Sequence, residues 1–361
     1  MSSTPEYYLE VEGTARQRGL AHGETFRDVI HAAVKRWQDE LAETTQQPFS
    51  SLLQQFNEST GYISSIQRYT PHLLDEVEAV ADGSAMDREL IYAWQLVDEL
   101  IDFCIEHMYM EKCTTLGAYD QAPGAAPVLG KTQDLLHSYI GAHALIRTRY
   151  ANSDVDIFNS TIAGIICQDG MSRHLALCLN HIGPLERDPL GLPVTYLARH
   201  ILENCKNIAE AQQALLDLPH ASGMNYGLAD KISTRTFEVS AGQVDEFIPA
   251  PELKRLWHTN HPVVNENYCQ EIALWNRLSD QQSGNTYARY NYIERETMKG
   301  PAMTVGRLQE ILSSREVPVS SHADDDFPTI NSVIMEMTEE PSLFFSPGPP
   351  SQHNYRRFCY D

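Results

Sequence analysis

The sequence changes texture once, and abruptly, at Lys112–Cys113. Ahead of that point it is mostly helical in pattern; beyond it come short β-branched runs bounded by Gly, Asp or Pro. A short opening strand is expected over 7–12 (YYLEVE). Gly13, Gly19 and Gly23 interrupt the next stretch, and a helix is predicted from Gly23 onward, with Phe26, Ile30, Val34 and Trp37 on one stripe. Residues 50–111 continue helically, with Leu73, Leu74, Val77, Val80 and Ala81 on one face and a second helix over 87–110 that Asp87 caps. Strands are then expected over 113–119, 126–133, 144–151, 156–166 and 174–181. Two helices come next, over 191–218, with Pro193 at the first helical position and a break near Asn207. Strands return over 223–230, 234–240 and 254–260, helices over 266–280, 286–299 and 303–314, and strands close the chain over 330–338 and 341–346.

Helices and strands thus come in blocks, without strictly alternating βαβ units. That order favours antiparallel sheets covered by helix pairs, an α+β or layered αββα arrangement. The Pro/Gly-rich QAPGAAP (121–127) reads as a hairpin loop, not a boundary, and no repeat or linker divides the chain. One domain over 1–361 is expected, and 361 residues are enough for a substantial core.

Charge narrows the partners. The formal net charge of −22 repels phosphate backbones and anionic lipid, so neither nucleic acid nor membrane is an expected partner. The opening MSSTPEYYLEVEG has no basic region followed by an apolar one, and no run approaches the roughly 18 apolar residues of a membrane helix. The closing RRFCYD matches no organelle address. Seven scattered cysteines (104, 113, 167, 178, 205, 269, 359) form no CxxC pair, which fits free thiols in a reducing compartment. A cytoplasmic protein is expected.

Motifs for dinucleotides, P-loops, serine nucleophile elbows and HExxH zinc sites are absent. His258 and His261, in HTNH, are read as one core and one exposed histidine of a strand, not as a metal pair. Cys113 begins a strand and precedes two threonines. Its bland reading is a buried small hydrophobe. Its sharper one is a nucleophile whose base is its own α-amine, freed by cutting the bond before it; such an amine titrates near about 8.

Several segments, taken together, resemble the acyl-CoA:6-aminopenicillanate acyltransferase-like family. GTARQRGLAHGETFRDVI is similar to its G-x-x-x-x-x-G-x-x-H-G-E opening, and CTTLGAYD with PVLGKTQDLL to its Cys-Thr-Ser/Thr and G-x-N-x-D strand pair. LPVTYLARHILENCKNIAEA, HTNH, NTYARYNYIE and TINSVIMEM…LFFSPGPP resemble later motifs in family order. The resemblance implies an α+β, four-layer αββα N-terminal-nucleophile hydrolase sandwich of two antiparallel sheets flanked by helices. It implies a precursor that cuts itself between Lys112 and Cys113 into segments 1–112 and 113–361, which would stay together as a heterodimer.

By the same resemblance, Cys113, Asp134 and Asn260 would be catalytic, with Asn260 in the oxyanion hole. Arg289, Thr286 and Thr114 would bind substrate, and Arg289 could equally be the partner of Asp134. The plainer readings are a turn residue for Asp134, backbone satisfaction by Asn260, a solvated helix residue for Arg289, and a capping role for His22, Gly23 and Glu24 on the first helix. Lys112 stands where a small residue is common, Thr132 where Asn is usual and Leu135 where an aromatic is usual. The implied function is an amidase or acyltransferase acting on a small-molecule amide or acyl thioester through a Cys113 acyl-enzyme. The acceptor is an amine or water, and no cofactor is needed, an acyl-CoA being a substrate. For a CoA donor, Arg289, Arg147 and Arg149 would have to form a local basic patch. An amidase that never uses CoA is the variant within the fold. The alternative is an uncleaved, non-catalytic protein that binds a small metabolite as scaffold or tailoring partner.

Overall fold

A computed structural model describes residues 5–104, 112–274 and 285–360, with Lys112 described for its backbone alone. Two sheets lie at its centre. The first runs in the order β1 (Tyr8–Gly13), β4 (His143–Tyr150), β5 (Asp156–Ile162), β6 (Asp169–Ser172), β7 (Ala176–His181), β8 (Met224–Ala229), β9 (Thr234–Ser240), β10 (Gln243–Phe247). The second runs β11 (Arg255–His258), β2 (Lys112–Ala118), β3 (Val128–Asp134), β12 (Thr329–Glu336), β13 (Ser342–Ser346), β14 (Arg356–Cys359). Among these described strands every pairing is antiparallel except β1 with β4, which is parallel. QAPGAAP lies in the connection of the antiparallel β2–β3 pair, as expected.

Three apolar clusters mark three layer interfaces. Leu129, Leu145, Phe158, Met171, Val333 and Phe345 pack where the two sheets face one another. Leu116, Val128, Trp257, Ile293, Leu308 and Ile334 join the six-stranded sheet to α10 (Thr286–Lys299) and α11 (Val305–Leu312). The largest cluster seats the other helices on the eight-stranded sheet. They are α1 (Ala15–Thr25), α2 (Arg27–Thr45), α3 (Phe49–Ser59), α4 (Tyr62–Tyr69), α5 (Pro71–Ser84), α6 (Arg88–Trp94), α7 (Val97–Phe103), α8 (Val194–Asn204) and α9 (Ile208–Asp217). The expected αββα sandwich is therefore present. No helix among the described residues is long and apolar enough to cross a membrane.

The sequence reading needs correction in several places. Gly19 and Gly23 do not interrupt a helix; both lie inside α1, which starts at Thr14 through a capping box with Gln17. Their lack of a side chain serves packing. A Cβ on Gly19 would stand 2.2 Å from the Glu76 carbonyl oxygen, and one on Gly23 2.2 Å from that of Val80, so α1 and α5 touch backbone to backbone. His22 caps nothing: its Nε2 accepts the Gly164 N–H at 2.9 Å, tying α1 to the turn after β5, while Glu24 is exposed. Burial lowers the His22 pKa to about 4, the nearby Glu76 carboxylate opposing and the Arg199 charge assisting, which suits a neutral acceptor ring.

The helix expected over 87–110 is two helices, α6 and α7, with 105–110 outside the described residues. The break falls at Gln95, whose buried amide donates to Gly164 C=O at 2.7 Å and accepts from Ile166 N–H at 3.0 Å. Asp87 does cap α6. Of the helix expected over 266–280, residues 275–280 lie outside the described residues. Three short strands escaped the periodicity: β6 is DGMS, with one large apolar side chain, while β10 and β14 are edge strands with little to bury. Pro193 precedes α8 as its N-cap.

The close seating of α1 on α5 makes a direct prediction. Gly23→Ala would force the two backbones apart and cost about 1–3 kcal/mol, as overpacking does. A thermal melt should show Tm lowered by several degrees; an unchanged Tm would mean that the helices separate without cost.

Candidate active site

Strand register assembles the site. In the β2–β3 ladder Cys113 lies opposite Gln133, Thr115 opposite Lys131 and Lys112 opposite Asp134. Side chains alternate along a strand, so Cys113, Thr115, Lys131 and Gln133 share one face. That face meets the eight-stranded sheet: Thr115 Oγ1 donates to Asn180 Oδ1 of β7 at 2.8 Å, and Lys131 Nζ reaches both oxygens of Asp169 of β6 at 3.0 and 2.9 Å. A cavity of about 30 Å³ opens beside Cys113, lined by Lys131, Asp134, His181 and Asn260 among others.

Cys113 is 8% exposed. Burial pushes its thiol up to about 11, with the Asp134 and Asp169 carboxylates adding to the rise; the Lys131 ammonium and the Asp134 backbone N–H oppose it. In the uncut chain the thiol is therefore neutral near pH 7, and a nucleophile here needs a base. Burial acts to lower Lys131, but the attraction of Asp169, with smaller help from the Cys113 and Cys178 sulfurs, outweighs it and raises the ammonium above the usual lysine range.

The backbone of Cys113 is gripped at both polar atoms. Its N–H donates to Asn260 Oδ1 at 2.7 Å, and its C=O accepts from Arg289 Nη1 at 2.6 Å. Arg289 also donates to Thr114 Oγ1 at 3.0 Å and, through Nη2, to Asn260 Oδ1 at 3.0 Å. The Asn260 amide is oriented by these partners: two donors face its oxygen, and its nitrogen donates to the His181 carbonyl at 2.9 Å. Asn260 N–H in turn donates to Thr286 Oγ1 at 2.8 Å, the first residue of α10, which Asn285 caps. Arg289 lies one turn on, fully buried beneath the sheet.

These contacts sort the expectations. Cys113, Asp134 and Asn260 line one cavity, and Thr114, Thr286 and Arg289 stand directly behind Cys113 and Asn260. Arg289 is a buried residue, not the solvated one of the plainer reading. Asp134 ends β3 and accepts from Thr329 Oγ1 at 2.5 Å. The basic patch is not formed. Arg147 is held by Asp156 at 2.9 Å and Arg149 by Glu12 at 3.2 Å, both on the eight-stranded sheet, while Arg289 is sealed behind β2. Nor is His261 exposed: β11 ends at His258, the alternation stops there, and His261 packs between Tyr287 and Tyr290 of α10. Burial lowers its pKa to about 3, the His258 and Arg289 charges adding to the fall and Glu238 opposing it.

Three supporting groups went unread in the sequence. Glu238, fully buried on β9, accepts from His258 Nε2 at 2.7 Å and from the N–H groups of Val263, Val264 and Asn265 at 2.7, 2.9 and 2.7 Å. It thereby fixes the loop that carries Asn260. His181 Nε2 meets Asp102 Oδ1 at 2.8 Å, and Lys131 meets Asp169. The available signal was a lysine within VLGKTQD, a strand buried along its whole length, since a buried lysine implies a buried carboxylate.

Burial acts to raise the Glu238 carboxyl, yet its contacts hold it below the usual range: the His258 hydrogen bond and charge and the backbone donors of Asn265 and Val264 outweigh the burial. A depressed carboxyl contributes stability above its unfolded pKa of about 4.3 and loses it as pH falls through the folded value. Glu238→Gln should therefore cost about 2–4 kcal/mol at pH 7 in urea unfolding. The difference from wild type should shrink toward pH 3, and a gap unchanged by pH would contradict the assignment.

Comparison with known proteins places this architecture in a family. The family model described as acyl-coenzyme A:6-aminopenicillanic acid acyl-transferase matches residues 126–345. Among solved structures, the Caenorhabditis elegans N-acylethanolamine-hydrolyzing acid amidase (NAAA) ortholog is similar over 62% of this chain and 92% of its own, at 16% identity and a TM-score of 0.44. No curated protein matches. With more than half of its length matched, the chain belongs to the acyl-coenzyme A:6-aminopenicillanic acid acyl-transferase family of N-terminal-nucleophile enzymes.

Proposed function

We propose that the chain is a self-processing amidase or acyltransferase whose nucleophile is Cys113. The observation that carries this reading is the double grip on Cys113, N–H to Asn260 and C=O to Arg289. Any buried backbone needs partners, but here both come from buried polar side chains, of the loop after β11 and of α10. A residue whose backbone nitrogen is to become a catalytic amine needs that nitrogen held in place.

The chemistry runs in two stages. First the Cys113 thiol attacks the Lys112 carbonyl carbon. The C–N bond breaks, the departing nitrogen takes a proton, and a thioester remains until water hydrolyses it to the Lys112 carboxylate and the free thiol. Asn260 Oδ1 then holds an α-amine where it held an amide N–H. That amine, titrating near about 8, takes the thiol proton that burial otherwise retains. The thiolate attacks the substrate carbonyl, the leaving group takes the proton, and water or an amine releases the acyl group from sulfur. Lys131, whose charge already acts on the sulfur, stabilises the thiolate. Asn260 is better suited to holding the amine than to the oxyanion hole in the uncut chain, because its Nδ2 is committed to the His181 carbonyl. Arg289 acts as a positioning residue, with its guanidinium turned to protein acceptors.

No resident cofactor enters this sequence; an acyl-CoA would be a substrate. The segments 1–112 and 113–361 would remain joined, since β1 pairs with β4 and α1–α7 pack on strands of the second segment. The alternative, an uncleaved protein that binds a small metabolite in the same cavity, predicts an intact chain.

Denaturing mass spectrometry of the purified chain tests the reading. Wild type should give two pieces divided between Lys112 and Cys113, and Cys113→Ala one intact chain. Intact chain in both would overturn self-processing. Asn260→Ala should slow the appearance of the pieces by about 10²-fold, the scale of a misplaced reacting group. Arg289→Lys, which cannot reach all three acceptors in one plane, should slow it as well.

A further inference from the structure

In the uncut chain most donors around the Cys113 cavity are already engaged. Lys131 Nζ is turned to both oxygens of Asp169, and Asn260 Nδ2 is given to the His181 carbonyl. The Asp134 backbone N–H bears on the sulfur itself, and Arg289 lies behind the strand. Asp98 and Asp134 bring carboxylates to the wall, and these offer an oxyanion nothing but repulsion. A donor for the carbonyl oxygen of a bound acyl group has to come from elsewhere, and Gln133 supplies one.

Gln133 stands in the middle of a row across the six-stranded sheet. Register places it opposite Cys113 of β2 on one side and Asn331 of β12 on the other. Facing residues of antiparallel strands have Cβ atoms about 4.5–5.5 Å apart, so a glutamine amide reaches atoms bonded to its neighbour's sulfur. The amide is set from the Asn331 side. Ser160 Oγ of β5 donates to Asn331 Oδ1 at 3.1 Å, and Asn331 Nδ2 donates to Gln133 Oε1 at 2.6 Å. Ser160 and Asn331 are fully buried and Gln133 is 3% exposed, so neighbours hold the row on all sides. With its oxygen committed to Asn331, the planar amide turns its nitrogen away from β12, toward the cavity that Gln133 and Cys113 both line. Nε2 has no acceptor among the described residues, and a buried N–H calls for one. Gln168 lines the cavity too, but from the loop before β6, and its oxygen has only a 3.5 Å contact with Thr161 Oγ1.

We propose that Gln133 is a further catalytic residue, its Nε2 donating to the oxyanion formed when the Cys113 thiolate adds to an acyl carbon. The assignment rests on the acyl-transfer reading above. As the S–C bond forms, the carbonyl π pair moves onto oxygen. When the substrate's C–N or C–S bond breaks, that pair restores the carbonyl, and the leaving group departs with the proton that the α-amine took from the thiol. Full negative charge stands on oxygen only in between, so a donor fixed beforehand by Asn331 stabilises the intermediate more than the substrate.

Two reactions of the same sulfur test this in the full-length protein. Acetyl transfer from p-nitrophenyl acetate passes through an oxyanion; alkylation by iodoacetamide does not. Both rates are followed by mass spectrometry of the Cys113 peptide, in wild type, Gln133→Met and Gln133→Glu. Methionine keeps the length and removes the donor, but it leaves Asn331 Nδ2 without its acceptor; glutamate keeps that acceptor. The ratio of acetylation to alkylation should fall about 10²-fold, the scale of one lost oxyanion donor. A role in folding or in thiolate formation would slow both reactions together. An unchanged ratio in Gln133→Met, or in Gln133→Glu if methionine prevents folding, would overturn the assignment. With wild type cleaved and acetylated, that result sinks the donor alone. Wild type that is alkylated at Cys113 but neither cleaved nor acetylated sinks the acyl-transfer reading and the donor with it.

Discussion

One side-chain amide holds the layers together where the chemistry would occur. Asn260 accepts the N–H of Cys113 from the six-stranded sheet, donates a hydrogen bond to the His181 carbonyl at the end of β7 in the eight-stranded sheet, and accepts from Arg289 of the helical layer behind. An amide can do this because it is donor and acceptor at once, with the two functions on opposite atoms. Its own backbone is pinned to the start of α10 by Thr286. Removing it would leave the Cys113 N–H, the His181 carbonyl and part of Arg289 short of partners in a buried place, where an unmade hydrogen bond costs most.

Around that amide the structure keeps charge in pairs. Lys131 with Asp169 bridges the two sheets, Glu238 collects His258 and three backbone donors, and Arg18, Glu76, Arg199 and Glu203 form a buried chain linking α1, α5 and α8. Such groups are costly to bury and more costly to bury alone. Their effect is to fix geometry: the Glu238 carboxylate holds the loop from which Asn260 projects, and Lys131 sets a positive charge against a sulfur that burial would otherwise keep neutral.

The fold was legible because apolar spacing is local. Phe26, Ile30, Val34 and Trp37 read as a helix face and are one. The Asp87 cap and the helix break near Asn207 also lay in the sequence, since a cap or a break needs only its own next few residues. The misreadings came where a neighbouring layer overrides local preference. Gly19 and Gly23 looked like interruptions because the carbonyls they make room for belong to α5. The helix predicted through Gln95 breaks there because its side chain serves the turn at 163–166. Of the candidate site, the residues were legible through motif resemblance, but their orientation was not. Arg289, which by resemblance would bind substrate or pair with Asp134, faces the Cys113 carbonyl; Arg147 and Arg149, the candidates for a basic patch, face carboxylates of their own sheet.

The sequence alone determined the order of the main blocks of helices and strands, the faces they bury and hence the layered α+β sandwich, because these follow from periodicities of two and of 3.6 residues. It also marked Cys113 as the start of a strand. Only the tertiary structure decided that Lys131 finds Asp169, that Glu238 anchors the loop of Asn260, and that His181 meets Asp102. Those contacts join residues far apart in the chain. Hydrogen bonds and ion pairs depend on distances of a few tenths of an ångström, and such distances exist only once the sheets and helices have packed.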